Sequence, residues 1–164
     1  MRKATSSHVY DCSVDTFWDV FLSEEYTRKF YLEGLKFPTC EIVSQSATER
    51  RMRVVPKLDM PKPVTKVLGD SFGYTEEATI SRDESEFRWK MKPNAMGDKL
   101  RTEGIIRVEP VGDDKCRRID EVTVEAKVFG VGKLIESSAE KQIQDSWKAE
   151  ADFFSRYLRE KKKG

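Results

Sequence analysis

Hydrophobic residues repeat at helical spacing over the last third of the chain. Seven of them fall on one stripe: Ile135, Ala139, Ile143, Trp147, Ala151, Phe154 and Leu158. This stripe predicts one long amphipathic helix, from about 133 to 160. A strand-like run, Ile119–Phe129, precedes it across Gly130-Val131-Gly132, so the pattern predicts a helix laid across a sheet. We expect the first half of the stripe, to Trp147, to face a cavity and the second half to seal the core.

The middle of the chain alternates with the period of two that is typical of strands. Apolar and charged positions alternate in four stretches: 51–54, 87–92, 100–108 and 122–128. Strands that follow one another without helices between them pair antiparallel, and the turn at 111–115 predicts a hairpin. Because such a sheet has one apolar face, the long helix is its natural cover. The predicted fold class is therefore α+β.

Ahead of the sheet, the pattern predicts one strand and two short helices. Residues 5–10 have β character. Ser13 and Ser23 each precede an apolar helical face, which is the usual place for an N-cap. The expected helices run from about Val14 to Leu22 and from Ser23 to near Gly34.

Composition narrows the classes of function. The 164 residues are 38% hydrophobic and carry a net charge of +1, which predicts one domain over residues 1–164 and argues against nucleic acid as a partner. No apolar stretch approaches the length of a transmembrane segment. Three widely spaced cysteines, Cys12, Cys40 and Cys116, favour a reducing compartment, so we expect a cytoplasmic protein of undetermined oligomeric state.

The order of elements resembles the START-like helix-grip (SRPBCC) superfamily, which includes the birch pollen allergen and the polyketide cyclases. Residues 126–136, with 64–70 and 74–77, resemble an uncharacterised, mostly bacterial branch of it, a domain of unknown function with distant likeness to sterol-binding VASt domains. The resemblance implies a curved antiparallel sheet that grips the C-terminal helix around a hydrophobic cavity for lipids, sterols, hormones or polyketides. It implies no catalytic residue, because the branch has no agreed catalytic motif.

The inward positions of the predicted strands and helix supply the candidate ligand-binding residues. These are Phe72, Tyr74, Glu76, Phe87, Trp89, Met91, Leu100, Thr102, Arg118, Ile135, Ala139, Ile143 and Trp147. The aromatic rings and the flexible Met91 suit a packed core as well as an adaptable pocket. Glu76 and Arg118 are in phase with apolar neighbours, so they either orient a polar head group in the cavity, or reach water at strand ends, or form a structural ion pair.

A lid is predicted where Pro61 and Pro63 interrupt the strands. Val64, Val67 and Leu68 would form one amphipathic turn over the pocket, with a solvated loop as the alternative. A lid with exposed apolar residues beside lysines would also allow transient contact with a membrane.

Signals for catalysis are weak. His8 is the only histidine, which excludes a histidine-rich metal site, and Gly130-Val131-Gly132-Lys133 lacks the rest of a phosphate-binding loop. We expect no metal and no cofactor. Binding or carriage of a hydrophobic small molecule is the favoured function. The alternatives are a cyclase or hydratase-type enzyme that uses the same pocket and a protein-interaction module of the co-chaperone type with a filled core.

Overall fold

The computed structural model describes residues 1–163, which form a sheet, three short α-helices and one long one. The strands are β1 (Arg2–Tyr10), β2 (Thr39–Gln45), β3 (Glu49–Val55), β4 (Tyr74–Ser81), β5 (Glu86–Pro93), β6 (Leu100–Pro110) and β7 (Cys116–Ala126). The α-helices are α1 (Val14–Phe21), α2 (Glu24–Lys29), α3 (Lys62–Leu68) and α4 (Gly132–Lys163). A π-helical turn, Phe30–Gly34, extends α2.

All neighbouring strands pair antiparallel, in the order β1-β7-β6-β5-β4-β3-β2. The first strand therefore pairs with the last, and β1 and β2 form the two edges. The long helix lies along the inner face and packs mainly against β1 and β7. The predicted α+β helix-grip fold, with a curved antiparallel sheet around the C-terminal helix, is confirmed.

The two short helices after β1 begin at the predicted caps. The Ser13 side chain accepts a hydrogen bond from the backbone N–H of Thr16, and that of Ser23 accepts one from Tyr26. Each cap supplies an acceptor to a backbone donor that the first turn leaves free. The indole Nε1 of Trp18 donates to Ser85 Oγ at 2.9 Å and so ties α1 to the start of β5.

The junction between β7 and α4 differs from its prediction. The last strand runs from Cys116 to Ala126, three residues short of the predicted end at Phe129, and Phe129 is fully exposed. A Cβ on Gly132 would lie 2.5 Å from the carbonyl oxygen of Ala126, which is closer than real contacts allow. Only glycine lets the helix begin this near the strand end, and the chain leaves the sheet early to reach that point.

The core is solid at one end of the molecule. Tyr10, Phe17, Phe154 and Leu158 are buried there in one cluster with α1 and α2, and the rings of Phe17 and Phe154 stack at 5.0 Å. This is the part of α4 that we expected to seal the core. The first half of α4 lies over the candidate site.

Candidate functional site

A cavity of about 200 Å³ lies between the inner face of the sheet and the first half of α4. Every predicted ligand-binding residue lies on its wall. On the sheet side these are Phe72, Tyr74, Glu76, Phe87, Trp89, Met91, Leu100, Thr102 and Arg118, and on α4 they are Ile135, Ala139, Ile143 and Trp147. Whether each of them touches a ligand stays a prediction.

The predicted lid is a helix rather than a single turn or a loop. Pro61 precedes α3 and Pro63 lies in its first turn, where proline costs no hydrogen bond. Val64 and Leu68 are buried against Ala126 and Ile135, so the expectation of exposed apolar residues is wrong. Leu68 lines the cavity, whereas Val64 and Val67 do not.

An ion pair links two strands on the cavity wall. Arg50 donates from Nη2 to Glu76 Oε1 at 3.3 Å and from Nη1 to Thr27 Oγ1 at 3.2 Å. Its guanidinium carbon lies 4.9 Å from the centre of the Phe87 ring, within the range of a cation–π contact. Both charged side chains are more than 90% buried, so each depends on the other for compensation.

A second cluster is centred on Arg118. Its Nε and Nη2 atoms donate to the two carboxylate oxygens of Asp120 at 2.8 and 3.0 Å. The Nη1 atom lies 2.8 Å from Glu150 Oε1 but outside hydrogen-bonding alignment. Glu150 also accepts a hydrogen bond from the hydroxyl of Tyr26 at 2.8 Å. Arg118 therefore forms a structural ion pair, which is one of the alternatives that the sequence left open. It also lines the cavity.

Burial shifts the pKa values of several groups on the cavity wall. It raises the pKa of the Glu76 carboxyl, although the neighbouring Arg50 opposes the shift. Burial likewise raises the pKa of Asp120 against the pull of Arg118. The pKa values of the phenols of Tyr31 and Tyr74 are raised by burial too, so both remain neutral hydroxyl groups. The cavity therefore offers neutral phenols and carboxyl groups that take up protons more readily than they do in water.

The most important polar residues of the cavity wall that the sequence reasoning missed are Arg50, Gln142 and Glu150. Arg50 has the same phase along β3 as Met52 and Val54, both fully buried, so extending the alternation by one residue would have found it. Glu150 follows Trp147 by three positions and shares its helical face. Gln142 flanks the apolar stripe and has no such signal.

His8, which we did not expect to take part in catalysis, lies apart from the cavity. His8 is on β1 opposite Arg118 and is not on the cavity wall. No cluster of three metal-ligating side chains occurs within residues 1–163. None of the helices in that range is both long and apolar enough to cross a bilayer.

The sequence matches one protein family along most of its length. The family is described as "Protein of unknown function (DUF2505)", and the match covers residues 5–158. Among curated proteins, none matches the sequence.

Solved structures share the fold at low identity. The Zhui aromatase/cyclase from Streptomyces sp. R1128 superposes with a TM-score of 0.71 at 9% identity, over 96% of this chain and 93% of its own. Norcoclaurine synthase from Thalictrum flavum gives 0.68 at 16%, over 97% and 87%. A START superfamily protein from Mycobacterium smegmatis gives 0.60 at 13%, over 96% and 97%. At these identities the likeness extends to the fold alone, and it confirms the START-like helix grip.

Proposed function

The chain belongs to the DUF2505 family of START-like helix-grip proteins, and from this premise we propose that it binds a compact hydrophobic small molecule in its internal cavity. The cavity is the observation that supports this proposal. About 200 Å³ of space is surrounded by aromatic and aliphatic side chains, with a few polar groups at defined places. Ligand sites in proteins usually have this character.

The size of the cavity restricts the ligand. A cavity of roughly 150 Å³ lined by apolar residues accepts benzene, so about 200 Å³ suits a compound of one or two rings. A sterol or a long acyl chain would need more room, and outward movement of α3 is the simplest way to provide it. We therefore favour a compact ring compound over a lipid.

The proposal also includes a location in the cell and transient contact with a membrane. A cytoplasmic location is supported by Cys12, Cys40 and Cys116, which are free thiols, as is usual in a reducing compartment. Transient contact with a membrane is supported by Phe129, which is fully exposed between Lys127 and Lys133. The apolar residues of α3 do not contribute to it, because Val64 and Leu68 are buried.

Retention of a ligand tests the binding function. The protein would be purified from cells, and bound mass would be measured by native mass spectrometry and identified after extraction. Replacing Ala139 by Phe should abolish the bound mass, because a phenyl ring at this position would occupy the cavity. Ala149→Phe is the matched control, since Ala149 is half-buried on the same helix away from the wall. Absence of bound mass, together with failure to bind small aromatic probes, would contradict the proposal.

An enzyme of the cyclase or hydratase type is the second candidate, and Glu76 is the observation that favours it. A buried carboxyl on the cavity wall, whose pKa is raised by burial, retains a proton more readily than a free carboxyl and is suited to proton transfer with a ligand. An enzyme would be supported if the protein converts the extracted ligand chemically. The conversion should be lost in Glu76→Gln and retained in Glu77→Gln on the outer face. Recovery of the ligand unchanged would support binding without catalysis. The third candidate function, a protein-interaction module, requires a filled core, and the cavity argues against it.

A further inference from the structure

We propose, on the basis of the binding function above, that the cavity takes a neutral aromatic compound with a hydrogen-bond acceptor oxygen at the Arg50 end and a hydroxyl or N–H group at the Gln142 end. An aromatic ketone with a phenolic hydroxyl on its far side is the simplest member of this class. The inference comes from buried polar atoms that the protein leaves without partners.

The first such atom is Nε of Arg50. The guanidinium group is fixed by Thr27 and Glu76 through its two Nη atoms, and the side chain is 3% exposed. The Nε–H is buried and has no hydrogen-bond partner within residues 1–163. Buried donors in native proteins are nearly always satisfied, so an unpaired one on a cavity wall indicates an acceptor that occupies the cavity.

Arg118 adds a second guanidinium group at the same end. Its Nη1 atom is buried and lies 2.8 Å from Glu150 Oε1, outside hydrogen-bonding alignment. The guanidinium carbons of Arg50 and Arg118 lie 5.7 and 5.2 Å from the centre of one ring, that of Phe21. The free Nε donor of Arg50 and the guanidinium group of Arg118 are therefore both close to Phe21, where an oxygen acceptor and an aromatic body would be bound together.

The charge at this end favours a neutral acceptor. The two guanidinium groups are already opposed by three carboxyl groups, those of Glu76, Asp120 and Glu150. Glu150 contributes to raising the pKa of Glu76, after the larger effect of burial. A carboxylate ligand would place its charge beside these three carboxyl groups, whereas a ketone or phenol oxygen accepts the same hydrogen bonds without that repulsion.

An unpartnered acceptor lies at the opposite end. Gln142 donates from Nε2 to the carbonyl of Lys57 at 3.4 Å, and its Oε1 atom is buried with no partner in residues 1–163. Gln142 and Glu150 are eight positions apart on α4, roughly 12 Å along the helix axis. Glu150 pairs with Arg118, so this length also approximates the distance from Gln142 to the arginine end. A two-ring compound with oxygens at its two ends has a comparable length.

Three probes of the same shape test the acceptor. They are 2-acetylnaphthalene, its hydrocarbon analogue 2-isopropenylnaphthalene and the anion 2-naphthoate, with affinities measured by fluorescence titration of the full chain. We expect the ketone to bind about tenfold or more tightly than the hydrocarbon, since a hydrogen bond to a charged donor is gained, and more tightly than the anion. A fourth probe, 6-hydroxy-2-acetylnaphthalene, should bind several-fold more tightly than the ketone through Gln142.

A pair of double variants assigns the effect to the inner ion pair. Arg50→Met with Glu76→Gln removes the donor without leaving an unpaired charge, and it should reduce ketone affinity about tenfold while the hydrocarbon binds as before. Retained hydrocarbon binding shows that the fold and the cavity are intact. The control is Arg51→Met with Glu77→Gln, the neighbouring pair at 3.2 Å on the outer face, which should change neither affinity.

The outcomes separate this inference from the binding function. Equal affinities of the ketone and the hydrocarbon would overturn the acceptor while binding stands, and tighter binding of 2-naphthoate would overturn the neutral class. No gain from the added hydroxyl would overturn the role of Gln142. If none of the four probes binds, the compact-ligand function itself fails.

Discussion

Arg50 and Glu76 show how far single residues could be predicted from the sequence. The alternation in β4 correctly indicated that Glu76 faces inward with Tyr74 and Ala78, and all three are buried. The cross-strand pairing that compensates its charge could not be predicted. Arg50 reaches Glu76 diagonally, because Arg50 is opposite Ala78 while Glu76 is opposite Met52, and register is not visible in the sequence of one strand.

Glu136 gives a prediction at the residue scale. Its carboxylate accepts a hydrogen bond from the backbone N–H of Ala126 at 3.0 Å and another from the N-terminal amine at 2.9 Å. These contacts, the backbone one first, lower the pKa of Glu136 below its usual 4.5. A lowered pKa in the folded state stabilises the protein above pH 4.5, and the stabilisation is lost as the pH falls through the folded-state value.

Glu136→Ala should therefore reduce the free energy of unfolding by about 1 kcal/mol at pH 7, with a smaller deficit in acid. Urea denaturation of the variant and the parent from pH 7 down to pH 3 measures this. Glu140→Ala is the control, because Glu140 pairs with the exposed Arg2. A deficit that stays constant with pH would show that the charge of Glu136 is not the cause.

At the scale of elements, the long helix was predicted closely and the lid was not. The stripe on α4 gave its bounds to within three residues, since a buried helical face leaves a strong periodic signal. The seven residues of α3 carry too short a pattern, and the two prolines favoured an interruption over a helix start. The end of β7 was missed because it depends on a close approach between Ala126 and Gly132, which is a tertiary constraint.

That close approach predicts an unusual response to mutation. Alanine normally stabilises a helix relative to glycine by up to about 1 kcal/mol. At Gly132 the added Cβ would collide with the carbonyl oxygen of Ala126, so Gly132→Ala should instead destabilise the protein by roughly 1–3 kcal/mol. Thermal unfolding followed by circular dichroism measures the change. A higher melting temperature would mean that the junction relaxes easily and does not fix the helix.

At the scale of the whole molecule, the protein has a solid end and a hollow end along one helix. The sequence indicated this division through the two halves of the α4 stripe. The sequence did not predict the size of the cavity, because a cavity depends on how side chains from separate strands fail to fill the interior. Aromatic residues supply both ends, so composition does not distinguish them.

The two ends should respond differently to loss of side-chain volume. Phe154 is completely buried in the solid end, and Phe154→Ala should cost about 3–5 kcal/mol of stability with little effect on probe binding. Ile143 is half-buried beside the cavity, so Ile143→Ala loses fewer contacts and should cost roughly 1–2 kcal/mol. Chemical denaturation and titration with 2-acetylnaphthalene measure both properties. Equal losses of stability would contradict a hollow end.

The pairing of β1 with β7 also governs the order in which the molecule can be assembled. During synthesis on the ribosome, residues 2–10 emerge well before residues 116–126 and have no strand to join until those residues have followed. The central meander from β2 to β6 is made of neighbours in the chain and can form beforehand. Because contacts between distant segments are slow to form, we expect docking of the first strand, together with the helix that follows the last one, to be the late step that limits the folding rate.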